Sequence, residues 1–310
     1  MPTIRQLRGD YTDSVHPFSA VWSGPRGVRL WGEPFRTPFR SAAKPVQLRA
    51  SLKALGDPEL PSEVLAVGTA SHAGQPEHVA LVEQVMGYFR LEQSCLLCGA
   101  HAPLHVPSHH ALILSGRSPS VLHNNCSGKH AFMAAASRAQ GWDADYRDPN
   151  HPLQLDIRAR LTLGGSRPEF ATDGCGVPSW VMSLEEMARV WQGVVLDPDP
   201  VMRGIRQAME KHPHLTSGTD RLDEDIMAGA KESMFVKIGA QALFCMGFPE
   251  RRGALVVKVH TGVGAALGLA VKASLQRLVQ GAWQEPPGWN HEQLRNVVGK
   301  LVGRRVVEES

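Results

Sequence analysis

The stretch His123-Asn124-Asn125-Cys126-Ser127-Gly128-Lys129-His130 sets amides, a thiol, a hydroxyl, an amine and imidazoles around one glycine. The apolar run that follows, Ala131 to Arg138, predicts a helix ending near Gly141. The polar string therefore falls in a loop and the first helical turn. Backbone N–H groups there lack intrahelical partners and attract anions or developing negative charge. Small, polar and nucleophilic groups at a helix entrance make a candidate site.

Ser41-Ala42-Ala43-Lys44 is a Ser-x-x-Lys motif at the start of another predicted helix. The i,i+3 spacing sets the amine over the hydroxyl. Such a lysine acts as a general base when burial or a nearby cation keeps it neutral, and the helix dipole favours an incipient alkoxide. Lys237-Ile238-Gly239 resembles the Lys-Thr-Gly box on the active-site strand of penicillin-recognising Ser-x-x-Lys enzymes. A second hydroxyl, Ser71, follows the run Glu63 to Ala70, which is expected to be a buried strand. Two pairings are available, Ser41 with Lys44 and Ser71 with Lys237.

Two metal arrangements compete. Cys95-x-x-Cys98-x-x-His101-x-x-x-His105 has spacings compatible with a compact zinc site. The other joins Cys126 and Lys129 to Cys175, which sits in the glycine-punctuated turn Thr172-Asp173-Gly174-Cys175-Gly176-Val177-Pro178. Lysine must be neutral to coordinate, so spacing alone favours the first. His109, His110, His212 and His214 read as surface or packed residues. Gly164-Gly165-Ser166 reads as a turn and not a phosphate loop, since no Gly-Lys-Ser/Thr follows.

The elements that must hold these groups begin with a hairpin, Phe18 to Gly24 and Val28 to Glu33, around Gly24-Pro25-Arg26-Gly27. Helices are expected at Ser41–Leu55, His78–Phe89, Cys126–Gln140, Leu153–Leu163, Leu184–Trp191, Val201–Lys211 and Asp220–Ala228. Gly99 to Pro119 reads as a long functional loop. Ser233–Lys237, Ala240–Phe248 and Gly253–His260 read as consecutive antiparallel strands, followed by an apolar helix, Gly264–Val279, and a polar tail from Gln284. The simplest packing joins all five strands in one antiparallel sheet flanked by helices, an α+β architecture. A single domain over 1–310 is expected, with its sheet from about 1–35 and 231–280 and a mainly helical middle over about 75–230.

Composition narrows the function class. A net charge of +3, with 33 Lys and Arg spread along 310 residues, gives no basic block for nucleic acid. No apolar stretch is long enough to span a membrane, and the first ten residues carry no apolar signal core. Five cysteines are an odd number in a chain too long to need disulfide staples, which favours reduced thiols and a cytoplasmic location.

Taken together, these strings resemble the rhizobial-type L-asparaginase family, also called the asparaginase II family. The likeness runs from Ser14-Val15-His16 through Arg40–Gln47, Ala70-Ser71-His72-Ala73-Gly74 and Leu97-Cys98-Gly99 to the Asn124–His130 string. It continues through Asp148–Pro152, Asp173–Pro178 and Phe235–Ala240. The resemblance implies a fold similar to the serine β-lactamases and glutaminases, and hydrolysis of L-asparagine to L-aspartate and ammonia by a homodimer. It implies that Ser41, Lys44, Ser71 and Lys237 are catalytic, that Arg40, His72, Asn125 and Asp173 bind substrate, and that Cys126, Lys129 and Cys175 hold zinc. On the metal it reverses the preference from spacing. Two other readings stay open: the same fold acting on glutamine or a β-lactam, or a non-catalytic, zinc-containing relative that binds an amino acid. The chain departs from the family pattern at Gln241-Ala242 (usually Glu-Gly), at Phe132 (commonly Gly) and at Asp220 (often Gly).

Overall fold

The computed structural model describes residues 1–162 and 169–309. In chain order it runs β1 (Thr3–Arg8), β2 (Tyr11–Gly24), β3 (Gly27–Trp31), β4 (Arg36–Pro38), α1 (Lys44–Ala54), α2 (Ser62–Thr69), α3 (Pro76–Tyr88) and α4 (Val106–Leu114). Next come α5 (Ser127–Gln140), α6 (Pro152–Thr162), β5 (Phe170–Thr172), β6 (Pro178–Ser183), α7 (Leu184–Leu196), α8 (Pro200–Lys211) and α9 (Pro213–Thr216). The chain closes with α10 (Leu222–Ala228), β7 (Phe235–Gly239), β8 (Leu243–Phe248), β9 (Gly253–Val259), α11 (Leu267–Leu278), β10 (Gln293–Arg295) and β11 (Leu301–Glu308). The expected turn Gly164-Gly165-Ser166 lies outside the described residues. The architecture is α+β, and its residues fall into two compact units.

The first unit comprises Met1–Ala42, Met182–Leu196 and Asp225–Ser310. Its antiparallel sheet has the order β10-β11-β1-β2-β9-β8-β7, with β3 also paired to β2. The five strands read from the sequence share this sheet. Gly24 opposes Gly27, so Pro25 and Arg26 form the two-residue turn of the first hairpin. Every residue of β8 and β9 is buried, as befits central strands. Helix α7 places Leu184, Met187, Ala188, Trp191, Val194 and Val195 on its buried face, and Trp191 stacks on Phe235 at 5.3 Å.

Three strands of that sheet depart from the expected polar tail and unassigned start. β11 pairs with β1 from Thr3↔Glu308 to Arg8↔Gly303, and β10 pairs with β11. β11 shows no two-residue alternation of burial. Its pairing is satisfied by residues at the other end of the chain, which local pattern does not reveal.

The second unit comprises Ala43–Val181 and Asp197–Glu224 and is built around α5, whose residues Ser127 to Ser137 are all buried. Helices α1, α2 and α3 pack on α5, and α8 packs on α2. Gly128 allows α5 to approach the backbone carbonyl of Val67 on α2, where a Cβ would collide with it. Gly68 makes room for Phe132: a Cβ there would lie 2.8 Å from the Phe132 ring and 2.9 Å from Leu48. The bulky departure at Phe132 is thus a packed core side chain.

Two expectations are corrected in this unit. Glu63 to Ala70 is helical (α2), because a short apolar run has no period that separates a strand from a helix buried between neighbours. The expected loop Gly99–Pro119 contains α4, whose Pro107 occupies the first turn, where proline costs no hydrogen bond.

Candidate active site

Lys44 opens α1, and its side chain is wholly buried within the second unit. Its Nζ donates to Ser71 Oγ at 3.0 Å, donates also to the Ala70 carbonyl, and reaches the Asn125 carbonyl at 3.5 Å. Burial pushes the Lys44 pKa down. The Cys126 and Cys175 thiols work against that shift and the Lys129 cation adds to it. A buried amine bonded to a hydroxyl could act as a general base once it has given up its proton, a loss that burial favours. The amine on Ser71 is thus that of Lys44, the lysine that the motif expects to serve Ser41.

Ser71 lies just beyond α2, where Ala70 takes an extended conformation. The Ser71 N–H donates to the Thr216 carbonyl at 2.9 Å. His72, next in the chain, is fully buried and engaged at both ring nitrogens. Nδ1 accepts from the Gly74 N–H at 3.2 Å, so the ring proton sits on Nε2 and is donated to Ser127 Oγ at 2.8 Å. Burial, with the neighbouring His78 and Lys44, holds His72 neutral, well below its usual range. His72 is therefore turned to the protein and ties the Ser71 loop to the start of α5.

The start of α5 is braced by Asn124, whose Oδ1 accepts from the Cys126 N–H at 2.8 Å. Its Nδ2 donates to the Cys98 and Gly99 carbonyls at 3.0 and 2.9 Å. Asn125 bonds through its backbone: its N–H donates to His101 Nε2 at 2.9 Å, and its carbonyl accepts from the His72 N–H at 3.2 Å. Cys126 occupies the N-cap and Lys129 lies one turn on, so both share a face. Lys129 Nζ donates to Cys175 Sγ at 3.1 Å. Cys175 is carried on the turn between β5 and β6, which closes through Gly176 N–H to Asp173 O (2.8 Å) and Asp173 N–H to Val177 O (2.9 Å).

This thiol–amine cluster is buried and electrostatically tight. Contact with the Cys175 thiol, and the Lys44 and Lys129 charges, hold Cys126 well below the ordinary thiol range despite burial. Burial works to lower Lys129, but its interactions with Cys175 and Cys126 outweigh it and hold Lys129 raised. Asp173 adds its charge to the same cluster. Two thiols and an amine converge here. Cys126 is predisposed to ionise, whereas contact with Cys126 and burial raise Cys175, so zinc would require both Cys175 and Lys129 to lose their protons on coordination.

The competing arrangement does not assemble. Among the described residues, no group of three or more His, Cys, Asp and Glu is placed to hold a metal ion. Cys98 is pushed up to about 12, chiefly by burial, so its thiol stays protonated. His101 spends one ring nitrogen on the Asn125 N–H and the other on the Ala102 carbonyl, and His105 Nδ1 is bonded to Ser108 Oγ.

The remaining candidates belong to the first unit. Ser41 is half-buried in the 3-10 turn Arg40–Ala43, and Ala43, not Ser41, is the N-cap of α1. Arg40, just before it, has φ 51°, a left-handed conformation that costs a non-glycine residue energy. Lys237 is buried on β7 opposite Cys245, with Nζ donating to the Ile238 carbonyl at 3.2 Å. Gln241 and Ala242 form the exposed-to-buried tip of the β7–β8 hairpin, both with positive φ (60° and 55°). The Gln241 carbonyl accepts from Lys258 Nζ at 2.6 Å.

A family model described as L-asparaginase II matches residues 4–307. The chain belongs to that family. Membership supports an amidohydrolase role. No match to a curated protein reaches significance. Among solved structures, the chain is similar to a β-lactamase from Mycobacterium bovis at 17% identity and a TM-score of 0.48, over 84% of this chain and 94% of that one. It is also similar to simvastatin synthase from Aspergillus terreus (11% identity, TM-score 0.41, 84% and 93% covered). A third likeness is to a mutant class A β-lactamase of the last common ancestor of Gram-negative bacteria (13% identity, TM-score 0.42, 85% and 94% covered). No helix among the described residues is long and apolar enough to cross a membrane.

Sequence reasoning passed over Thr216 and Gln75, which hold the Ser71 loop, and the His130–Tyr146 pair behind Lys129. His130 Nδ1 lies 2.9 Å from Tyr146 Oη, which also accepts from the Leu97 N–H at 2.8 Å. Sequence reading takes His130 only as the end of the polar string His123–His130 and does not single out Tyr146.

Proposed function

We propose that this protein hydrolyses L-asparagine to L-aspartate and ammonia through a serine-bound aspartyl intermediate. The observation that carries the reading is the buried Lys44 amine, 3.0 Å from Ser71 Oγ and pushed toward neutrality by burial. A side-chain amide is a poor electrophile, so its hydrolysis needs an activated hydroxyl, donors for the tetrahedral oxyanion and an acid for the leaving ammonia.

In this reading Ser41, three residues before Lys44 in the chain, is the nucleophile. Its Oγ attacks the substrate's side-chain carbonyl carbon while Lys44 takes its proton. The amide nitrogen receives a proton and leaves as ammonia, and water then releases aspartate from Ser41. Ser71, already bonded to Lys44, relays protons between that amine and the reacting groups. Lys237 is the second amine of the proposal on the strength of its Lys-x-Gly box. Arg40, Asn125 and Asp173 are proposed substrate contacts, whereas His72 serves to position the loop.

Cys126, Lys129 and Cys175 would hold a zinc ion, whose Lewis acidity would polarise a bound water or substrate group. The proposal extends to a homodimer, on the family resemblance, and to a reducing compartment, supported by five free cysteines.

Ammonia release by the purified protein, with L-asparagine and L-glutamine in parallel, tests the reading. Release from asparagine is expected. Release from glutamine alone would move the substrate, and release from neither, with zinc supplied to folded protein, would favour a binding role.

A further inference from the structure

Ser71 is held from behind by a segment to which no catalytic motif assigns a role. Residues 213–219 run alongside the loop Ser71–Gln75 within the second unit. The Ser71 N–H donates to Thr216 O at 2.9 Å. Gln75 bridges the two segments twice: its Oε1 accepts from the Thr219 N–H at 2.9 Å, and its Nε2 donates to Thr219 Oγ1 at 3.0 Å. A third bond runs from Nε2 to Glu77 Oε1 at 3.2 Å. His78 adds a parallel link, with Nδ1 accepting from the Gln75 N–H (3.3 Å) and Nε2 donating to the His214 carbonyl (3.1 Å).

The residue types serve a strap as well as a helix cap. Gln75 is the N-cap of α3, a position where Ser, Thr, Asp and Asn are preferred because a short side chain reaches the next turn's N–H. Gln75 forms a reciprocal capping box with His78, and its longer side chain also reaches a different segment. Gly218 has φ 118°, and a Cβ there would lie 2.5 Å from Ala73 Cβ and 2.7 Å from Gln75 Oε1. The close approach therefore needs glycine at 218 and a long amide at 75.

We propose that Gln75 is a positioning residue that, with Thr219, straps segment 213–219 to the Ser71 loop and so fixes Ser71 on the Lys44 amine. Its effect on turnover rests on the asparaginase reading, whereas the strap itself does not. Removing the amide frees the loop, and Ser71 Oγ then samples positions out of reach of Lys44. Substrate contacts are untouched, so the loss falls on kcat and not on KM.

The test uses Gln75→Met, which keeps the volume without the amide, and two variants of the exposed partner, Thr219→Val and Thr219→Ser. Amide hydrogen exchange at Ser71 is read alongside kcat, KM and the thermal midpoint. In Gln75→Met, exchange at Ser71 is expected to quicken and kcat to fall, each about tenfold, as the loss of one or two ordinary hydrogen bonds yields. KM should stay within about twofold, since no substrate-binding group is altered. Thr219→Val should move the same way by less, and Thr219→Ser should restore wild-type values. Unchanged exchange at Ser71 in both Gln75→Met and Thr219→Val would overturn the proposal, as would a KM rise with constant kcat. If the wild type turns over no amide, faster exchange in the two variants still upholds the strap while the asparaginase reading fails.

Discussion

Replacing Lys44 by Met should separate activity from stability. The amine donates to Ser71 Oγ and to the Ala70 carbonyl, and each such bond contributes about 0.5–1.5 kcal/mol net, so roughly 1–3 kcal/mol is lost. Against that, a completely buried amine is removed and a Met of similar length fills its space, which offsets several kcal/mol of desolvation in order of magnitude. The net change in folding stability should lie within about 2 kcal/mol of zero. Activity should respond far more strongly, because loss of a positioned general base costs about 10²- to 10⁴-fold in kcat. Lys44→Arg should not rescue it, since guanidinium stays charged and takes no proton. The assay pairs urea unfolding with ammonia release from L-asparagine. Retention of more than about a tenth of kcat would show that Lys44 is not the base. A stability loss above about 4 kcal/mol would show that the amine is a structural keystone and that any lost activity is unfolding.

Further predictions follow from local geometry. Gly68→Ala drives a methyl to within 2.8 Å of Phe132 and should destabilise by about 1–3 kcal/mol in the wild type and by less in a Phe132→Ala background, where only the approach to Leu48 at 2.9 Å remains. A double-mutant cycle by urea unfolding should give at least about 1 kcal/mol of coupling, and additivity would refute the contact. Ala242→Gly restores the family residue at φ 55° and should raise stability by about 0.5–1 kcal/mol; a lowered urea midpoint would mean that the Ala242 methyl packs usefully. Burial pushes Lys258 down to about 8 from an ordinary 10.5. Between those values the folded state binds fewer protons than the unfolded chain, so stability should rise with pH across that window. Measured against Lys258→Met, wild-type stability that falls from pH 8 to pH 10 would reverse that sign.

Much of the framework was legible because it is locally encoded. The Gly24-Pro25-Arg26-Gly27 turn, the three strands from Phe235 to Val259 and the α5 start each carry their own turn or cap chemistry. What escaped depends on distant partners. β11 is defined by β1, some three hundred residues away in the chain. α2 is apolar enough to pass for a strand until its packing on α5 and α8 is seen. The site divides the same way. Cys126, Lys129 and Cys175 were named from strings, and the Lys129–Cys175 contact joins two of those strings. That Lys44 Nζ donates to Ser71 Oγ, and that Gln75 reaches Thr219, are facts of tertiary geometry with no trace in spacing. The departure at Phe132 was visible as a residue change, but its packing against Gly68, sixty-four positions earlier, was not.

The most direct test of the central claim is to quench the protein during turnover of L-asparagine and map any aspartyl adduct by peptide mass analysis. An adduct on the peptide carrying Ser41, absent in Ser41→Ala and depleted in Lys44→Met, is the expected result. An adduct on Ser71 would make that serine the nucleophile, and ammonia release with no adduct on either serine would contradict covalent serine catalysis altogether.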